Sequence, residues 1–267
     1  MPRSRSIRRP AAAALAVVAL TAAPALGAVP AASAAATPVV APAALRHAPF
    51  QAAPGARATT GTSPDTTVTS TNWAGYAATG STYKSVTATW VQPVVKCTSG
   101  DQYSAFWVGL DGYSSNTVEQ TGTEADCVGK TAAYSAWYEM YPANPVTYAD
   151  KLKAGDLVTA TVAFTGSNKF VLTFTDTTQG WTHATTASAA AARTSAEIIV
   201  EAPAAGTGIT PISAFGSVDF TGCLVDGKNL GSFDPTRIES GDLTVSAITG
   251  GTAFSVTQTK AATRTVG

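Results

Sequence analysis

Two stretches of this chain carry residue types that could hydrolyse a bond without a metal or cofactor. One is residues 106–122, FWVGLDGYSSNTVEQTG, and the other is residues 195–203, SAEIIVEAP. The first offers aromatic rings, an aspartate (Asp111) and an uncharged amide (Gln120), and the second offers two glutamates, Glu197 and Glu201. A glutamate with a suitable pKa can deprotonate a water and later protonate the departing amine. A primary amide can donate hydrogen bonds to the developing oxyanion, worth about 3–4 kcal/mol for one well-placed donor. Glutamine keeps that role in acid, because its charge state never changes. Gln120 and Glu201 are therefore a candidate pair for cutting peptide bonds. Residue type alone leaves two other readings open. Two of Glu139, Glu197 and Glu201 could serve a glycosidase, or an aromatic groove lined with carboxylates could bind carbohydrate without catalysis.

Other machinery is missing. The two histidines, His47 and His183, stand at unrelated positions and do not make a zinc pattern. There is no G-x-S-x-G elbow and no phosphate loop, so neither metal nor cofactor is expected. Charge argues against nucleic acid as a partner. All 17 acidic residues lie at Asp65 or later, where only 11 of the 17 basic residues accompany them, a balance of −6. Phosphate binding relies on clustered Lys and Arg, which this sparsely charged body lacks.

The elements that must position the candidates read as β-strands. From Asn72 onward, short runs with period-two alternation recur, separated by Gly, Asn, Asp, Pro and Ser. Strands are expected at 73–77, 85–91, 104–110, 118–122, 132–141, 157–164, 169–176, 196–201, 212–220, 243–248 and 254–260. Helical periodicity is nearly absent, with only 187–196 rich enough in alanine to suggest it. The expected fold is all-β, an antiparallel sandwich of two packed sheets of concanavalin-like form. Alternation also sorts the faces. Phe106, Val108 and Leu110 point to the core, which leaves Trp107 and Asp111 on the other face. Trp137 and Glu139 share a face with Ser135 and Tyr141. Glu197 and Glu201 align, about 13 Å apart on a straight strand, too far to act as one pair.

The N-terminus reads as an export signal over 1–34, with four arginines, an apolar run from Ala11 to about Ala23 and small residues after it. That run is too short to span a bilayer, and no later segment is long enough. The expected product is secreted and meets oxidising conditions. Residues 35–69, rich in Ala, Pro, Thr and Gly, read as a disordered pro-segment or linker, and 70–267 as the sandwich domain. The basic residues and His47 of the leader suit one that pairs with an acidic body at neutral pH and lets go when carboxylates protonate. Of three cysteines, Cys97 and Cys127 are the expected disulfide, since both sit in polar turn-like segments flanking the central stretch, and Cys223 is left over.

Asn72-Trp73-Ala74-Gly75, FWVGLDG, VEQTG, YSAWYEMYP and AEIIVEAP, in this order and at these intervals, resemble the eqolisins, or glutamic peptidases. The resemblance covers about residues 71–220. It implies an acid-acting endopeptidase on a two-sheet sandwich, made as a secreted zymogen and acting as a monomer on polypeptides. It makes Gln120 and Glu201 the catalytic dyad. Trp107, Asp111 and Glu139 fall on further motif positions, and with Trp73 and Trp137 they would line the cleft. Two departures stand out: Ser135 where family members often have aspartate, and Glu119 where an apolar residue usually precedes the glutamine. The second change places a carboxylate at a strand edge or facing solvent.

Overall fold

The computed structural model describes residues 45–55 and 66–259. Its strands, in chain order, are β1 (Thr67–Thr69), β2 (Trp73–Thr79), β3 (Ser85–Val91), β4 (Ala105–Leu110), β5 (Val118–Val128) and β6 (Thr131–Tyr141). There follow β7 (Val146–Thr147), β8 (Leu157–Gly166), β9 (Lys169–Asp176), β10 (Trp181–Ser188), β11 (Ser195–Glu201) and β12 (Ala204–Ala205). The last six are β13 (Gly208–Ile209), β14 (Ser217–Val225), β15 (Lys228–Asn229), β16 (Thr236–Glu239), β17 (Leu243–Val245) and β18 (Phe254–Gln258).

Two large sheets form a sandwich. The first has the order β1-β16-β2-β11-β4-β5-β6-β7, and the second β10-β9-β8-β3-β14-β18-β17. All pairings are antiparallel except β1 with β16. Alternation decides what lies between the sheets. Phe106, Val108 and Leu110 of β4 and Ala196, Ile198 and Val200 of β11 pack in one buried cluster with Trp90 of β3, Val158 and Val162 of β8, and Phe170, Leu172 and Phe174 of β9. Burying a side chain of this size contributes about 1.5–3 kcal/mol, so this layer is the principal source of stability. Cys97 and Cys127 form a disulfide. Cys223 is free and buried, and burial pushes its thiol up to about 12.

The sandwich agrees with the expected class, and differences in detail have local causes. The strand expected at 118–122 continues, as β5, to Val128 because β6 pairs it over its whole length. The alanine-rich run forms no helix: β10 ends at Ser188 and β11 begins at Ser195. Residues 212–216 are irregular, and the strand expected there starts at Ser217. The threonine-rich stretch around His183, where no strand was expected, is the edge strand β10, paired with β9 from Trp181 opposite Asp176 to Ser188 opposite Lys169. Threonine is a good strand former, but β10 has no fully buried residue, so it lacks the apolar alternation that marks a strand.

The expected signal, 1–34, lies outside the described residues, as do 35–44 and 56–65 of the expected pro-segment. Residues 45–55 and β1, from the same stretch, are held by the first sheet. Arg46 and Ala204 exchange two backbone hydrogen bonds of 2.9 Å, Phe50 N donates to Gly112 O at 3.0 Å, and Ala53 N donates to Thr69 O at 3.0 Å. No helix among the described residues is long and apolar enough to cross a membrane.

Candidate active site

The strand register fixes which side chains meet. Across the first sheet, Trp73, Glu201, Ala105, Glu124 and Ser135 occupy one row. Two residues along lies Gly75, Ile199, Trp107, Gly122 and Trp137, and two further lies Ala77, Glu197, Gly109, Gln120 and Glu139. With a side-chain period of two, the three rows share one face, the one turned away from the inter-sheet core. Gln120 on β5 and Glu201 on β11 thus stand on either side of β4, with Trp107 of β4 in the row between them.

Glycines make room for that tryptophan. A Cβ at Gly109 would lie 2.9 Å from Trp107 Cζ3 and 3.2 Å from Gln120 Cβ, and one at Gly122 would lie 2.5 Å from Trp107 Cβ. The indole lies along the sheet, and its Nε1 donates to Glu201 Oε2 at 2.9 Å. Glu201 and Gln120 are both fully buried. Glu201 Oε1 and Gln120 Oε1 have no hydrogen-bond partner among the described residues.

What buries them is the chain's own residues 45–55. Gln120 Nε2 donates to the main-chain carbonyl of His47 at 2.7 Å and to Glu139 Oε2 at 3.2 Å. The next carbonyl, of Ala48, accepts from Trp73 Nε1 at 3.0 Å, and Asn72 Nδ2 donates to Pro49 O at 3.1 Å. The His47 imidazole stacks on Trp137 with centroids 3.6 Å apart and planes 1° from parallel. Its Nδ1 pairs with Glu139 Oε2 at 2.8 Å and its Nε2 with Glu124 Oε1 at 2.5 Å. Phe50 packs beside Trp73 and Tyr113 over the same apolar patch.

Burial sets the electrostatics. Removal from water raises the Glu201 carboxyl well above its usual value; the charge of Glu139 adds to this, while His47 and the Trp107 hydrogen bond oppose it. For His47, burial alone would lower the imidazole. The hydrogen bonds and charges of Glu124 and Glu139 outweigh it and lift the group to about 10. Asp126, half-buried two residues beyond Glu124, is pushed up to about 10 by removal from water and by Glu124. Among the described residues, no group of three or more His, Cys, Asp or Glu side chains is arranged to hold a metal ion.

A family model described as the Peptidase A4 family matches residues 71–266. The chain belongs to the Peptidase A4 family. These are the eqolisins, and the chain is a glutamic endopeptidase by that membership. Solved structures agree. SCP-B, an eqolisin in a complex with the tripeptide Ala-Ile-His, is 25% identical with a TM-score of 0.59, over 70% of this chain and 98% of that one. Aspergilloglutamic peptidase from Aspergillus niger is 27% identical with a TM-score of 0.53, over 59% and 99%. Scytalido-glutamic peptidase with a transition state analog inhibitor is 24% identical with a TM-score of 0.63, over 70% and 98%, and bears on the fold alone. A comparison with curated protein sequences finds no match.

In this A4 peptidase the residues named from the sequence fall in two places. Gln120, Glu201, Trp73, Trp107, Trp137 and Glu139 gather on the one face described above. Asp111 does not touch the bound segment through its side chain. Its φ of 69° lies in the left-handed region, and its carboxylate accepts from Arg193 N at 2.5 Å and from Thr194 N at 2.9 Å. It ties down the entry to β11 and so supports the register of Glu201. Glu119 is neither at a solvent edge nor exposed. It is fully buried and pushed up to about 8 by burial and by the Asp111 charge. Sequence reasoning passed over Glu124 and set His47 aside as leader. The alternation of β5 would have found Glu124, since Gln120, Gly122 and Glu124 share a face once the strand is known to continue.

Proposed function

We propose that the protein is a secreted, acid-acting endopeptidase in which Glu201 is general base and then general acid, Gln120 is the oxyanion donor, and water attacks the peptide carbonyl directly without an acyl-enzyme. One observation carries this reading: Gln120 Nε2 already donates to a peptide carbonyl, that of His47, at 2.7 Å. That carbonyl belongs to an extended segment whose backbone is fixed on both sides, by Ala204 before it and by Asn72 and Trp73 after it. A substrate strand held in this way adds its backbone to the enzyme's own hydrogen-bond network. In such a pose the amide N–H groups of Gln120 face the oxygen on which charge develops. The partnerless Oε1 of Glu201 is available to take a proton from water, while Trp107 holds Oε2.

The bound segment also makes the protein a zymogen in this reading. While residues 45–55 cover the site, they keep bulk water from the Glu201 carboxyl, which is fully buried and raised well above its usual value by that burial. The cover is held most closely by the contacts of His47 with Glu124, Glu139 and Trp137, and the site opens when the segment leaves them. The SCP-B structure, with a peptide bound to a member of the same family, is consistent with a peptide occupying this face. Carbohydrate binding or glycosidase chemistry would give Gln120 no role.

The test is cleavage of denatured casein between pH 2 and 7 by wild type, Gln120→Ala and Glu201→Ala. Acid-dependent cleavage by wild type, abolished in both folded variants, is expected. Near-normal turnover by Glu201→Ala would overturn the assignment.

A further inference from the structure

The contacts of His47 go beyond what is needed to cover a site. Its ring lies flat on Trp137 at 3.6 Å, and each ring nitrogen meets a different carboxylate, Nδ1 meeting Glu139 and Nε2 meeting Glu124. Its backbone N–H donates to the same Glu139 oxygen at 3.1 Å, and its carbonyl is the one held by Gln120. The side chain filling this pocket therefore belongs to the residue whose carbonyl stands at the proposed oxyanion donor. We propose that Trp137, Glu124 and Glu139 form a selectivity pocket for the residue on the N-terminal side of the cut bond, and that it selects histidine. This inference rests on the reading of Gln120 and Glu201 given above.

The chemistry of the pocket distinguishes among side chains. An imidazolium is flat, fits an indole face and offers two N–H donors pointing in opposite directions, which matches two carboxylates on opposite sides of the ring. Lysine supplies one compact charge and no plane to stack. Leucine would bury both carboxylates without a donor, and glutamate would add a third negative charge. The pocket walls are rigid, because Glu124, Trp137 and Glu139 all rise from the paired strands β5 and β6. The neighbours are held differently: Arg46 reaches Pro142 O and Asn144 Oδ1 in exposed hydrogen bonds, Ala48 and Pro49 are held through their carbonyls, and Phe50 packs on Trp73 and Tyr113.

The test uses fluorogenic peptides with the sequence of residues 45–53, LRHAPFQAA, carrying His, Lys, Leu or Glu at the third position, and acid-activated full-length enzyme. Hydrolysis adds water across the His–Ala bond, giving a new carboxyl on histidine and a new amine on alanine, which mass spectrometry locates. The expected kcat/KM for the histidine peptide exceeds that of the leucine and glutamate peptides at least tenfold. Glu124→Gln should narrow the His-to-Leu ratio several-fold, a quantity independent of how much of the variant is folded. A leucine peptide cut as well as the histidine peptide, a ratio unchanged in Glu124→Gln, or casein cuts that do not favour histidine would each overturn the pocket assignment. Casein cleavage itself separates the two readings. If wild type cuts casein without histidine preference, only the pocket fails, whereas no casein cleavage at any pH removes the reaction on which the pocket depends.

Discussion

Substituting Glu119 by glutamine should stabilise the protein at neutral pH and leave it nearly unchanged in acid. Glu119 is buried next in the chain to Gln120, and neither of its carboxylate oxygens has a hydrogen-bond partner among the described residues. Its ordinary value of 4.5 is raised to about 8 by burial and the nearby charge of Asp111. Above the lower value the unfolded chain has released its proton while the folded chain still holds it. Stability therefore falls as pH rises through the interval and stops falling once the folded group ionises near the upper value. At 1.36 kcal/mol for each pH unit, the deficit at pH 7 reaches about 3 kcal/mol. Glutamine keeps the shape and has no proton to release, so the variant escapes this loss. Urea unfolding at pH 4 and pH 7, in a Glu201→Ala background to prevent self-digestion, gives the difference directly. Contributions of the other buried acids cancel between the two proteins. The expected result is a Glu119→Gln gain at pH 7 that exceeds its effect at pH 4 by about 3 kcal/mol. An equal effect at both pH values would refute the placement of a protonated carboxyl at this position.

Trp107→Phe keeps the ring but removes the N–H that Glu201 accepts; with hydrogen bonds to charged groups worth about 1.5–3 kcal/mol, kcat on a peptide substrate should fall about ten- to a hundredfold while KM changes less, and unchanged turnover would argue against Trp107 orienting the base. Opening the Cys97–Cys127 disulfide by Cys97→Ser with Cys127→Ser, across a sequence separation of 30 residues, should cost about 4 kcal/mol in the chain-entropy model, read as a lower urea midpoint with a slope that is no smaller, since the freed unfolded chain exposes more surface.

The sandwich and the face on which the site lies were legible because both depend on period-two alternation, which survives in sequence wherever one face is apolar. Phe106, Val108 and Leu110 announced the core, and by exclusion they announced Trp107. What was not legible depended on partners far away in the chain. β5 runs on through Glu124 and Asp126 because β6 pairs it to its end, and no local signal distinguishes an acidic turn from a strand whose polar face is covered by another segment. Asp111 has the right type and spacing for a cleft residue, yet its positive φ and its grip on Arg193 and Thr194 turn it toward the β11 entry. The burial of His47 was beyond sequence reasoning for the same reason. Composition gives residues 35–69 no core of their own, and the described part of that stretch, 45–55 and 66–69, lies against the sheet instead.

In the proposed reading, the same candidate groups are covered by residues 45–55 before the site opens. Glu201 sits on a strand in the middle of a sheet, where Ile199 and Trp107 exclude water from beside it and the bound segment excludes water from above. Its raised pKa is a consequence of that enclosure more than of any one neighbour, since desolvation is the largest influence and the His47 charge works against it. Taking away the segment removes both the cover and the opposing imidazolium. The first change lowers the pKa by restoring water and the second raises it by deleting a positive charge. In the proposed reading, the arrangement needs no movement of the catalytic groups themselves: Gln120 and Glu201 stay fixed by the register of β4, β5 and β11, and only the segment above them has to leave.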